Sequence, residues 1–199
     1  MKRTTTRRQR EMKHFITDNR RLFPFVLLFV AGVGVGVAVY LTAGKNLPDD
    51  LLTLAPVQAG GMGWLHTLGE ACFSTTVLLG VLYLLGLWAC GVPFILLVPL
   101  FHGVGLGMTE AHHYAKGVSG VAAVATLVMP VGLLSAAVLV AACAESLRLS
   151  AALSRQLLPG GAEGGLWGGF RLYSLRFLLF FVAALGVAVI EALLRHALF

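Results

Sequence analysis

Five stretches of this chain are apolar for about as long as a lipid bilayer is thick. A helix needs about 20 mostly apolar residues to cross a hydrocarbon core of about 30 Å. Residues 22–41, 72–90, 92–108, 118–144 and 172–194 meet or approach that length. Of the 199 residues, 58% are hydrophobic and only 12% charged. That is more apolar surface than a soluble domain of this size can bury. Apolar residues are spread throughout, which excludes a disordered chain. The expected fold is all-α: a polytopic integral membrane helix bundle with about five transmembrane helices.

Gly91 and Val92, ahead of Pro93, are all that separates the second stretch from the third. This predicts a tight or re-entrant hairpin, whose backbone groups must be satisfied within protein. The domain reading is a basic tail over residues 1–21 and one transmembrane helical domain over residues 22–199. Residues 145–158 extend the fourth helix until Pro159, Gly160 and Gly161 break it. Between the first two spans, Asn46, Pro48, Asp49 and Asp50 suit the start of a short surface-lying helix.

The net charge of +6 is local. Residues 1–21 hold eight basic residues against Glu11 and Asp18, and the rest of the chain is balanced. No nucleic-acid recognition motif accompanies these charges, so no nucleic-acid partner is expected. They read as a topology signal beside the first span. With the N-terminus in the cytoplasm, 12 basic residues fall inside, and only Lys45, Lys116 and Arg195 fall outside. The expected location is the bacterial cytoplasmic membrane, crossed several times, with the bilayer itself as a partner and some affinity for anionic lipid. The run from Leu22 is too long for a signal-peptide core and reads as an uncleaved anchor.

Few residues carry chemistry. Gly32, Gly34 and Gly36 lie in a spanning helix, not in a phosphate-binding turn. Gly32 and Gly36 share one helix face, as do Gly103 and Gly107, and such faces allow close helix approach. A homo-oligomer is compatible with them. Pro99 and Pro130 interrupt the third and fourth spans. His102 is the most central ionisable residue, either bonded to a neighbouring helix or part of a proton relay. Glu191 precedes Arg195 by one turn and is paired with it or turned inward. Glu110, His112 and His113 form a sparse set without a further ligand, so no metal or cofactor is expected. Cys72, Cys90 and Cys143 form no CxxC and read as packing residues. Tyr173, between Arg171 and Arg176, suits an interfacial anchor. No nucleophile elbow, His-Glu-x-x-His or Walker motif occurs, and no enzyme is expected.

The run Gly91-Val92-Pro93, continuing through Pro99, His102, Gly103, Gly105 and Gly107, resembles the stage II sporulation protein M family. Met129-Pro130 is similar to that family's internal proline, and Val189-Ile190-Glu191-Ala192 to its closing segment. The likeness extends over nearly the whole chain through short apolar motifs. It departs after Pro130, where Val131 and Gly132 stand in place of a polar residue. The resemblance implies a non-enzymatic membrane scaffold. It would recruit the peptidoglycan-degrading stage II sporulation proteins D and P to the mother-cell septal or engulfing membrane for forespore engulfment. Helix-packing or partner contacts are then expected at Gly32, Gly36, Pro99, His102, Gly103, Gly107, Pro130 and Glu191. The rival reading is a transporter or permease-like subunit with a midplane site near Pro99, His102 and Pro130.

Overall fold

The computed structural model describes residues 2–43, 64–157 and 166–198, and every element among them is helical. Helix α1 is Lys2–Ala43, α2 Trp64–Leu87, α3 Val92–Tyr114, α4 Val118–Ala123, α5 Met129–Leu157 and α6 Leu166–Leu198. A π-helical turn, Val124–Val128, joins α4 to α5. The chain is a polytopic membrane helix bundle. Among the described residues, four stretches are long and apolar enough to cross a bilayer: Leu22–Ala43, Val92–Tyr114, Gly120–Ser154 and Gly168–Leu194.

The second expected span, residues 72–90, lies in α2 and the turn that follows it. Its apolar stretch Thr75–Leu87 belongs to a helix that starts earlier, at Trp64. The helix has 24 residues and rises about 36 Å, so its backbone is still long enough to cross. The tail also differs from a plain extension. Residues 2–21 are helical and continuous with the first span. The helix expected near Asn46 and the break at Pro159 lie outside the described residues.

The hairpin between α2 and α3 is a tight turn over residues 88–91. The Trp88 amide donates to the Leu85 carbonyl at 3.2 Å, and the Gly91 amide donates to the Trp88 carbonyl at 2.9 Å. A Cβ on Gly91 would run into the Leu85 carbonyl, so only glycine closes this turn. Pro93 stands in the first turn of α3, where its missing N–H costs nothing. At the far end of α3, Gly117 takes a φ of 80° and reverses the chain into α4.

The π-helical turn has a local cause. Pro130 has no amide proton for the Thr126 carbonyl, and its ring crowds that carbonyl. The widened turn immediately upstream accommodates the ring, and the helix then resumes.

From the turn the two hairpin helices diverge. Helix α2 leans on α5 and α6, while α3 lies along α1. Helix α5 sits between both pairs and also contacts α1. Phe25, Leu79, Leu82, Ile95, Cys143 and Phe177 form the buried centre. The outer face of α6 stays apolar and uncovered, with Leu175, Leu179, Val182 and Leu193 exposed, as suits a surface wetted by lipid.

The free thiols report this arrangement. Cys90 is exposed in the turn, and Cys143 is fully buried. In a Cys72→Ser background, a membrane-impermeant maleimide is expected to modify Cys90 from one membrane face only. Cys143 is expected to react only after denaturation, as read by the intact mass.

Candidate functional site

The glycine pairs on α1 and α3 face each other. A Cβ on Gly32 would strike the Leu100 carbonyl, and one on Gly36 the Val104 carbonyl. In return, a Cβ on Gly103 would strike the Phe29 carbonyl, and one on Gly107 the Val33 carbonyl. The two backbones therefore touch over two turns of each helix. The helices run parallel: Phe29 lies level with His102, and Tyr40 level with His112. In lipid, helices gain little from burying apolar groups, so close packing of small residues must hold them together. These faces are consequently occupied within one chain.

The middle of the bundle is polar at one point. His102 Nε2 lies 3.4 Å from Ser135 Oγ on α5. The Ser135 hydroxyl donates to the Gly132 carbonyl at 2.9 Å, which leaves its oxygen to accept from an Nε2–H. The His102 ring stacks on Phe29 with centroids 6.0 Å apart. Pro99 is buried one turn earlier on α3, and Pro130 is half-buried one turn before Ser135 on the facing helix. His102 and Ser135 thus join α3 to α5, while Pro99 shares the face of α3 that carries Gly103 and packs on α1. Glu191 is half-buried near the end of α6.

A larger polar assembly occupies the end of the bundle that carries the 88–91 turn. The Ser146 hydroxyl donates to the Leu82 carbonyl at 3.0 Å, and Tyr173 OH donates to the Tyr83 carbonyl at 3.0 Å. Ser146 and Tyr173 hydroxyls are 3.3 Å apart, and those of Tyr83 and Ser174 share a hydrogen bond at 3.0 Å. Ser150 donates to the Trp88 carbonyl at 2.7 Å, which pins the turn itself to α5. The Tyr83 and Tyr173 rings stack 5.3 Å apart, and Gly86 leaves room for the Tyr173 hydroxyl. Beside this assembly, Glu145 accepts from Arg176 at 2.7 Å and from Arg148 at 3.0 Å.

Sequence reasoning missed most of this assembly. Tyr173 is 4% exposed and bonded inward, not placed as an interfacial anchor. Two signals were present: Ser146 and Ser150 are one turn apart on α5, and Tyr173, Arg176 and Phe177 share a face of α6.

At the opposite end, the Tyr40 hydroxyl lies 3.4 Å from His112 Nδ1. His113 turns inward, with Nδ1 donating to the Thr109 carbonyl at 2.9 Å. Among the described residues, no three His, Cys, Asp or Glu side chains gather closely enough to hold a metal ion.

Comparison with protein-family models, with curated proteins and with solved structures finds no match.

Two sets of substitutions test these contacts. Gly36→Ala and Gly107→Ala are each expected to lower bundle stability by about 1–3 kcal/mol, since the new methyl meets backbone that cannot turn aside. Gly34→Ala, with open space around it, is expected to leave stability unchanged or raise it by up to about 1 kcal/mol. Steric-trap unfolding in bicelles measures the contrast. Tyr173→Phe and Ser146→Ala are each expected to cost about 1 kcal/mol and to be non-additive when combined, because they share one network.

Proposed function

We propose that this chain is a non-enzymatic membrane scaffold of the kind the stage II sporulation protein M resemblance implies. In this reading it positions the peptidoglycan-degrading stage II sporulation proteins D and P at the septal membrane during endospore formation. The observation that carries the reading is how the polar side chains are spent. His102, Ser135, Ser146, Ser150 and Tyr173 bond one helix to another, and Glu145 ties two arginines. Such bonds make a rigid frame, which is what a positioning protein requires.

The glycine faces are filled within the chain, so they do not serve partners or a second copy. Partner contact is assigned instead to the outward apolar face of α6, around Leu175, Leu179 and Val182. The charge asymmetry favours a cytoplasmic N-terminus, which puts the 88–91 turn on the cytoplasmic side.

Depleting the protein in its host under starvation, with a membrane dye to follow the septum, tests the role. The expected result is a septum that forms and then stays flat or bulges without migrating around the forespore. Photo-crosslinkers at Leu179 and Val182 are expected to capture the two hydrolytic partners. Normal engulfment in depleted cells refutes the reading.

One observation favours a second reading, that of a transporter subunit. Pro99 interrupts α3 one turn before His102, His102 meets Ser135 of α5, and the π-helical turn and Pro130 interrupt the helix that carries Ser135; interrupted helices of this kind form midplane sites in transporters. Solute flux in proteoliposomes that is abolished by His102→Phe would establish it over the scaffold.

A further inference from the structure

A groove of about 660 Å³ opens between α1, α5 and α6 at the end of the bundle that carries the 88–91 turn. Its walls include Pro24, Phe25, Ala144, Ala152 and Phe180, with Arg148 on its lining. The size lies within the range of small-molecule sites.

The lining is graded along the bilayer normal. On α1, the wall runs from Leu22, where the span begins, through Pro24 to Phe25. On α5, the wall runs from Ala141 through Ala144 to Glu145 and Arg148, a rise of about 10 Å toward the bundle end. The deep part is apolar, and Glu145 and Arg148 bring charge near the mouth, with Ala151 and Ala152 beyond them. Glu145 is one carboxylate between two guanidinium groups, so that cluster keeps a net positive charge. Arg148 is the half-exposed member, with 47% of its side chain accessible, and it has N–H donors beyond the one given to Glu145. Small side chains keep the wall open, because alanines stand at 141, 144, 151 and 152.

We propose that this groove binds one anionic phospholipid, its acyl chain along Pro24, Ala144 and Phe180 and its phosphate on Arg148 near the mouth. Charge complementarity selects the occupant. A neutral helix would leave the cationic excess uncompensated at the edge of the hydrocarbon, whereas a phosphate accepts from a guanidinium in a paired geometry. The inference is independent of the scaffold reading.

The test uses the full chain in nanodiscs of phosphatidylcholine with a minority of phosphatidylglycerol, released into detergent for native mass spectrometry. One phosphatidylglycerol per chain is expected to remain bound, and phosphatidylcholine is not. Ala152→Trp, at an exposed wall position, is expected to fill the groove and remove the lipid. Arg148→Gln is expected to weaken retention about tenfold, the worth of a hydrogen bond to a charged group. Glu145 keeps Arg176 in that variant. Excess inorganic phosphate is expected to leave the lipid in place. In the unaltered chain, phosphatidylglycerol with a diazirine on its acyl chain is expected to label residues 141–152 of α5. Retention of both lipids in bulk proportion overturns the proposal. So does retention indifferent to both variants, displacement by phosphate alone, labelling confined to other helices, or a co-purified protein in place of the lipid.

Discussion

The architecture depends on two backbones that touch. Where α1 crosses α3, four glycines bring main-chain atoms of one helix against carbonyls of the other. In water such an approach would be one contact among many. In a bilayer the hydrophobic effect gives helices no reason to associate, and dispersion over a closely fitted surface takes its place. The crossing holds the hairpin's second helix to the first span. The first hairpin helix is thereby left to the other half of the bundle. Helix α5 fills the space between the halves and supplies the serines that bond across it.

The polar bonds then fix what packing alone leaves loose. Apolar helices of similar shape can slide and rotate against one another at little cost. Ser146, Ser150 and Tyr173 each take a partner outside their own helix, and sliding the helices would break these bonds together. Ser150 reaches the carbonyl of the turn, so the register of α5 is read directly from the hairpin. The midplane contact of His102 with Ser135 does the same for α3.

The positions of the helices were legible in the chain because bilayer thickness imposes a length and apolar residues reveal it. The tight turn at Gly91 was legible for a similar reason: glycine followed by proline admits few continuations. What pairs with what was not. A glycine at every fourth position announces a close approach but does not say to which helix, and the matching face lies about 70 residues away. Buried serines escape notice because a hydroxyl in a helix looks the same whether it returns to its own backbone or reaches across. Tyr173 next to arginine has the composition of a membrane interface and the position of a core residue. The site near His102 was half visible, since the residue stood out but its partner Ser135 did not.

The parallel crossing of α1 with α3 also imposes an order on biosynthesis. Tyr40 and the His112 it meets are separated by 72 residues. At a ribosomal rate of 5–20 residues per second, α1 waits roughly 4–14 s in the membrane before its mate is made. During that interval its glycine face is open to lipid, to the insertion machinery or to another nascent chain. The short turn at Gly91 limits the delay, because α3 follows α2 after only four residues. A longer connection there would extend the time in which the first span is unpaired.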